Sequence, residues 1–329
     1  MRKYKFAILG AGSIAEKMAE TVIHMPQIIP YAVGSRDSDR AKSFSERFGF
    51  QKYYGSYGEM VQDSEIDLIY VATPHSHHYK HSMMCLRHGK HVLCEKAFTV
   101  NALQAEKLTD YARSKNLLIA EAIWTRYLPM SKTINEIIES GAIGKVNLIS
   151  ANLGYLISNK ERLVNPYLAG GALLDVGVYT LNFAAMILGD RIIKSASTCS
   201  LFETGVDSQG SMTLLFEGGE MAVLYFSAVA QTDRQGIVYG DKGTLVVENI
   251  NNPETVHVYN LNREKVASYP APKQITGFEY EVDSVIKAIE QGRLECPEMP
   301  HSEIIRIMRL MDDFRNQCGV IYPPDIEGC

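Results

Sequence analysis

Strand-like and helix-like runs alternate through the first third of the chain, and this alternation constrains the fold more than any other feature. KFAILGA, IIPYAVGS, IDLIYVAT, HVLCE and LLIAEAIW read as buried strands. Between them, Ser13 to Met25, SDRAKSFSERFG, HHYKHSMMCLRHG and NALQAEKLTDYARSKN carry helical spacing, and Gly49 closes the second as a C-terminal cap. Parallel strands need a crossover, and here every crossover has the length of a helix. The expected fold class is therefore α/β, with a parallel sheet covered by helices on both faces.

The texture changes after Pro129 and the break at TRYLPM. One helix, MSKTINEIIESGAIG, precedes VNLISANLGY, IIKSASTCSLF, DSQGSMTLLFEGGEMAVLYFSA, RQGIVYGDKGTLVVEN and ETVHVYNL. Alternating patterning and glycine turns in these runs predict an open, predominantly antiparallel sheet. A helix is embedded in it at LLDVGVYTLNFAAMIL, and GFEYEVDSVIKAIEQG and HSEIIRIMRLMDDFRNQCG close the chain. At 329 residues two domains are expected. They are placed at 1–122, binding a dinucleotide, and 123–329, an α/β domain for substrate and oligomerisation whose C-terminal helix can pack back on the first.

The net charge of −5 supplies no basic stripe for nucleic acid. Six scattered cysteines, Cys85, Cys94, Cys199, Cys296, Cys318 and Cys329, lack any CxxC and read as free thiols in a reducing compartment. The basic start MRKYKFAILGAG ends its short apolar run in a glycine turn, unlike a signal peptide. No stretch reads as long and apolar enough to cross a bilayer. Cytoplasmic localisation without a membrane partner is the expectation.

ILGAGSIA sets Gly10 and Gly12 at the end of the first strand, with Ala15 third in a GxGxxG/A pattern. Gly10 permits the tight turn, Gly12 lets backbone approach a pyrophosphate, and Ala15 allows close helix packing. The helix start at Ser13 and Ile14 offers N–H groups and positive partial charge. At the end of the second strand an NAD site carries an acidic residue for the ribose 2′-hydroxyl. This chain has Gly34-Ser35-Arg36, with Asp37 one step later and Arg40 a turn beyond. Ser35 and Arg36 suit a 2′-phosphate and favour NADP; an inward-turned Asp37 would instead make an NAD site.

VATPHSHHYKH gathers His75, His77, His78 and His81. No carboxylate or cysteine joins them at ligand spacing, so no metal is assigned. Ala72, Thr73, Pro74, His75 and His78 are expected to line the cofactor. HVLCEKAFTVN runs a buried strand into Glu95-Lys96, where desolvating charge is costly unless it is paired or used. In YLAGGALLDVGVYTLNF, Asp175 and Tyr179 are spaced i, i+4 and share one helix face. Structurally, Asp175 could simply cap the helix and Tyr179 be core.

These motifs, with EAIWTRYLP, GGALLDVGVY and the tail from GFEYEVDSV to GVIYP, run in order along nearly the whole chain. They resemble the glucose-fructose oxidoreductase/inositol dehydrogenase/MocA family. The branch is similar to dimeric dihydrodiol dehydrogenase, the pyranose and xylose 1-dehydrogenases and glucose-fructose oxidoreductase, which mostly use NADP. The resemblance implies an N-terminal Rossmann domain and hydride transfer between nicotinamide and a sugar, polyol or diol. It implies that Lys96, with Glu95 at the cofactor, reaches the reacting centre and that Tyr179 fills the acid/base position. Asp175 would orient the lysine or the substrate hydroxyls; Trp124, Arg126, Tyr155 and Tyr179 would line the substrate pocket near the domain junction. A homodimer or homotetramer through the C-terminal sheet is also implied. The family's Glu-Lys-Pro is Glu95-Lys96-Ala97 here, which loses proline's fixed backbone.

An ammonium about 4 Å from a phenol, at an effective dielectric near 20, interacts by about 4 kcal/mol. That is enough to lower a tyrosine toward neutrality, with desolvation opposing. Lysine beside tyrosine is thus a workable base, and in reverse a workable acid. Two rival readings share the fold: a glycoside hydrolase that cycles a tightly held NAD, and a non-catalytic dinucleotide-binding regulator.

Overall fold

The computed structural model describes residues 2–328, so Cys329 lies outside the described residues. The chain separates into two compact units, Met1–Trp124 with Gln274–Ile305, and Thr125–Lys273 with Arg306–Gly328.

In the first unit the strands are β1 (Tyr4–Leu9), β2 (Ile28–Gly34), β3 (Lys52–Tyr54), β4 (Leu68–Val71), β5 (His91–Glu95) and β6 (Ile119–Ala122). Their order is β3-β2-β1-β4-β5-β6, and every pair is parallel. The connections carry α1 (Ser13–Val22), α2 (Ser38–Phe48), α3 (Tyr57–Gln62), α4 (His75–Arg87) and α5 (Ala102–Ser114). Strand order reverses between β1 and β4, so their carboxyl ends diverge into a crevice, the place where open α/β sheets bind ligands. β3, three residues long and largely exposed, had no run of apolar residues to announce it.

The second domain was expected to run from residue 123, its C-terminal helix able to pack back on the first; Gln274–Ile305 joins the first unit. Apolar packing holds it there, with Trp124 stacked on Phe278 and Val282 and Val285 buried, and polar contacts add to it. Thr276 Oγ1 meets Thr21 Oγ1 at 2.5 Å, Ile119 N donates to Leu294 O at 3.2 Å, and His301 Nε2 lies 2.9 Å from Ile119 O.

The second unit holds α6 (Pro129–Glu139), α7 (Glu161–Val164) and α8 (Val178–Leu188). Its strands are β7 (Val146–Gly154), β8 (Ile192–Leu201), β9 (Asp207–Phe216), β10 (Met221–Ser227), β11 (Gly236–Gly240), β12 (Gly243–Val247), β13 (Thr255–Asn260) and β14 (Lys265–Pro270). They form one sheet, β14-β13-β12-β11-β7-β10-β9-β8, antiparallel except for the β7–β10 pair. Ala222, Leu224 and Phe226 of β10 are buried, while Met221, Val223 and Tyr225 alternate with them at 38–41% exposure. Across neighbouring strands, Tyr239, Leu148, Met221 and Leu215 stand in register, so an apolar row crosses the sheet.

α9 (Glu279–Glu290) belongs to the first unit, α10 (His301–Cys318) contributes to both, and α11 (Pro324–Glu327) belongs to the second. One expectation is corrected. Pro166–Leu188 is long and apolar enough to cross a membrane by length and composition, although 83% of its apolar window is buried in the protein. It is a core segment here, interrupted by the bend at Gly170-Gly171 and carrying the charged Asp175.

α9 also inserts a carboxyl into the core. Glu281 is fully buried, and neither carboxylate oxygen has a hydrogen-bond partner. Burial, with Glu95 and Glu121 adding like charge, holds Glu281 well above its ordinary 4.5. A raised carboxyl contributes fully below its unfolded value and costs stability as pH rises beyond it. Glu281→Gln is therefore expected to match the parent's melting temperature at pH 4 and to exceed it at pH 7–8. The gain is on the order of 2–4 °C per kcal/mol relieved. Calorimetry across that range checks it, and an equal or lower melting temperature at pH 8 contradicts a protonated Glu281.

Candidate active site

The first cluster is built at the carboxyl ends of β1, β2 and β4. Gly10 has φ +110°, and a Cβ there would lie 2.6 Å from Ala72 O, so the turn demands glycine twice over. Gly12 is different: its φ is −94°, and a Cβ would meet nothing within 4 Å. Neither backbone nor packing asks for glycine at 12, which leaves close approach of a ligand as the physical reason. Gly12 caps α1 with no side-chain hydrogen bond, so the helix start at Ser13 and Ile14 has no capping side chain at residue 12. Ala15 is fully buried beneath it.

At the end of β2, Ser35 is buried and its Oγ accepts from Asp37 N at 3.2 Å. Asp37 does not turn toward a ribose. Its Oδ1 accepts from Asp39 N at 3.0 Å and Arg40 N at 3.1 Å, capping α2. Arg36 beside it is exposed, and Arg40 Nε donates to Ala11 O at 2.9 Å, tying α2 to the glycine turn. Burial lowers His77 and pushes His81 down to about 3, with the Arg36 charge adding to both. The His81 ring also contacts Tyr57 (centroids 4.9 Å) and His77 (5.4 Å).

The histidine-rich turn is stitched to the lysine loop. Thr73 and Pro74 are half-buried, His75 is buried, and the His75 and His78 rings meet edge to face at 5.6 Å. His78 Nδ1 lies 2.8 Å from Ala97 O and Nε2 2.7 Å from Thr73 O. Both partners only accept, so the ring donates to both when doubly protonated; burial opposes this and pushes the group down to about 4. Among the described residues no three His, Cys, Asp or Glu side chains are grouped to hold a metal ion.

Glu95 ends β5 buried, and the Tyr70 hydroxyl donates to it. Lys96 follows, half-buried, and its peptide bond to Ala97 is cis. Phe98 N donates to Glu121 Oε1 at 3.0 Å. Trp124 stacks on Phe278 with centroids 4.6 Å apart and planes at 11°, so one indole face is packed within this unit.

The second cluster is the segment from Ala172. It opens as a π-helical turn, Leu173–Gly177, before α8, where a plain α-helix was expected. Such turns occur often at functional sites. Asp175 and Tyr179 are both buried on it. Asp175 meets a partner that spacing did not suggest: Arg162 of α7 donates through Nη1 at 2.7 Å and Nη2 at 3.2 Å. Such a two-point pair fixes the carboxylate's orientation. Arg126 Nε donates to Asn182 Oδ1 at 2.8 Å, one helical step from Tyr179. The Tyr155 hydroxyl accepts from Asn251 Nδ2 at 3.3 Å, with the Arg234 guanidinium 5.8 Å from its ring. Sequence reading missed Arg162, Tyr70 and Glu281, because each acts across many residues without a local spacing signal.

Residues 4–122 match the family model described as "Oxidoreductase family, NAD-binding Rossmann fold", and residues 131–246 match the GFO/IDH/MocA C-terminal domain. The chain belongs to the GFO/IDH/MocA oxidoreductase family. It is accordingly a nicotinamide-dependent enzyme of the dehydrogenase and reductase kind. Among its relatives, a trans-1,2-dihydrobenzene-1,2-diol dehydrogenase of Xenopus tropicalis is 33% identical, covering 97% of this chain and 99% of the relative. A D-xylose 1-dehydrogenase (NADP(+)) of Hypocrea jecorina is 34% identical over 97% and 93%. Among solved structures, a lysine-to-alanine variant of a 3-ketoreductase from Actinomadura kijaniata, in complex with TDP-benzene and NADP, superposes with a TM-score of 0.86. It is 25% identical, with 96% and 98% of the two chains covered.

The two glycines separate structural from ligand roles. Gly10→Ala is expected to lower the melting temperature by several degrees, since clash and positive φ together cost on the order of 1–3 kcal/mol. Gly12→Val should leave the melting temperature near the parent's while weakening dinucleotide binding severely. Thermal melts and nicotinamide fluorescence titration check the pair; unchanged binding in Gly12→Val contradicts the assignment.

Proposed function

We propose that the protein is an NADP-dependent oxidoreductase that moves hydride between nicotinamide and a hydroxyl or carbonyl of a sugar, polyol or diol. The observation that carries the cofactor choice is the capping of α2 by Asp37, which spends the acidic group an NAD site needs and leaves Arg36 exposed beside it. The uncapped start of α1 and the open space at Gly12 fit a pyrophosphate. The names of the similar enzymes support a substrate in the sugar and diol range.

Bound nicotinamide supplies the hydride acceptor or donor, and the protein supplies binding, orientation and proton transfer. On this reading Arg36, with Arg40 held on the glycine turn, receives the 2′-phosphate. Tyr179 exchanges the proton of the substrate hydroxyl, and Lys96 supplies a positive charge for the reaction. Arg162 keeps Asp175 in one orientation beside Tyr179, ready to accept a substrate hydroxyl. The hydroxyl-rich substrate class suits the carboxylate of Asp175 and the phenol of Tyr179.

The exposed apolar row on the second sheet is the proposed interface of a homodimer or homotetramer. A contiguous apolar patch on an exposed sheet face marks an association surface. Val223→Glu with Tyr225→Arg is expected to convert the oligomer to monomer in light scattering. A parent protein that is already monomeric overturns that part of the proposal.

The cofactor reading is tested by titrating NADPH and NADH against the parent and Arg36→Ala. NADPH should bind roughly 10- to 100-fold tighter, the worth of one or two charge-assisted hydrogen bonds, and Arg36→Ala should erase most of that difference. Equal affinities return the site to NAD. Lys96→Met and Tyr179→Phe should each lower turnover by about 100- to 10,000-fold while NADPH affinity stays near the parent's. Cofactor that arrives bound and does not exchange, with no net reduction of added NADP, turns the reading to a glycoside hydrolase.

A further inference from the structure

Asp207, the first residue of β9, is wholly buried in the second unit, far along the chain from the segment it touches. Its Oδ2 accepts from Leu173 N at 2.6 Å. This is the leading amide of the π-helical turn that carries Asp175, and Tyr179 lies six residues beyond it at the start of α8. The backbone before it is shaped around the same group. Gly171 has φ +118°, and a Cβ there would lie 2.2 Å from Asp207 Oδ1. Gly171 N donates to Leu163 O at 2.7 Å, and the Tyr322 hydroxyl donates to Gly170 O. Oδ1 itself has no hydrogen-bond partner.

We propose that Asp207 is a positioning residue for the acid–base segment, its carboxylate anchoring the leading Leu173 amide so that Asp175 and Tyr179 are held at fixed depth and rotation. This rests on the roles given above to Tyr179 and Asp175. A structural peg would be served as well or better by a neutral group, because an ion at this depth is costly to desolvate. The carboxylate's advantage is stronger bonding: charge-assisted bonds to amide N–H groups are shorter and roughly twice as strong as neutral ones. The surroundings moderate the charge without pairing it directly. Burial raises Asp207 to about 6, while nearby backbone amides, that of Leu173 first, and the Arg315 charge pull it down. The titratable neighbours are Arg315 and Cys318 on α10, Cys199 on β8, and Tyr322. Burial is the first cause raising Cys199, Cys318 and Tyr322, which keeps them neutral near pH 6. Arg315 stays charged, paired with Asp312 and Glu327. Asp207 is thus the group of this set that changes charge just below neutrality.

The sign follows from the raised value. Above pH 6 the anchor is an anion and the segment is held; below it the anchor is neutral and the hold relaxes. Stability runs the other way, since a carboxyl raised by burial costs folding free energy as pH climbs above its unfolded value.

The test is Asp207→Asn in the full-length enzyme, with Asp207→Ala alongside, read by four measurements. These are kcat and KM with an NADP-coupled substrate across pH 5–8, NADPH affinity, melting temperature, and amide exchange in the peptide spanning residues 170–188. Asp207→Asn is expected to keep or raise the melting temperature at pH 8 and to keep NADPH affinity. It should lower kcat about tenfold with KM little changed, speed exchange at residues 172–175, and remove the acidic limb expected of the parent near pH 6. Loss of activity in proportion to lost stability, or parental kcat with the acidic limb retained, overturns the proposal. Should Asp207→Ala fail to fold, Asp207→Asn alone decides. Tyr179→Phe separates the two readings: if that variant keeps full turnover the acid–base assignment fails, whereas an inactive Tyr179→Phe with a parental Asp207→Asn refutes the anchor alone.

Discussion

A single carbonyl oxygen governs the ligand-facing edge of the first unit. Ala72 O, just past β4, stands where a side chain on residue 10 would begin, so β1 can leave the sheet only through glycine at positive φ. That forced exit aims α1 with its uncapped start outward and leaves Ala11 O facing α2, where Arg40 takes it. From the same place a continuous run of contacts leads toward the lysine. Thr73 adjoins Gly10, His78 joins Thr73 O to Ala97 O, and Phe98 N continues to Glu121. The dinucleotide turn and the Lys96 loop are therefore one connected structure. Displacing either is expected to disturb the other, since packed and hydrogen-bonded elements yield together rather than singly.

Much of this was legible in the sequence because its signals are local. Each parallel strand brings its own crossover helix, and GxGxxA falls where a strand becomes a helix, so alternation and motif support one another. The choice between dinucleotides was not legible in the same way. Asp37 suits either a ribose hydroxyl or a helix cap, and both uses sit at the same distance after β2. Only the placement of Asp39 and Arg40 amides on its carboxylate separates them. β3 escaped notice because an exposed three-residue strand buries too little to shape its sequence, and the return of Gln274–Ile305 rests on contacts between residues far apart in the chain, such as Trp124 on Phe278 and His301 on Ile119.

The second unit divides along the same line. Its sheet was readable from alternation, since one face is buried and the other exposed, and β10 displays that period residue by residue. The segment with Asp175 and Tyr179 was readable as a helix bearing chemistry, yet its controlling partners were not. Arg162 lies thirteen positions before Asp175 and Asp207 thirty-four after Leu173, separations that no helical or strand period encodes. The π-helical opening at Leu173–Gly177 is equally silent in composition.

Two buried carboxyls, Glu281 and Asp207, show how the fold decides where charge is kept. Glu281 and Asp207 are both sealed from solvent, and burial is the first cause raising each. Glu281 faces like charge from Glu95 and Glu121, with no donor on either oxygen, so its carboxyl is held well above its ordinary range. Asp207 meets the Leu173 amide and the field of Arg315, which leave it at about 6, within reach of ionisation at neutral pH. Equal burial thus yields different outcomes because the donors differ. Donors were supplied only at the carboxyl that touches the segment bearing Tyr179. A charge retained there at a cost in stability is intelligible if it holds that segment in place, and the raised Glu281 is what burial alone produces when nothing of the kind is required.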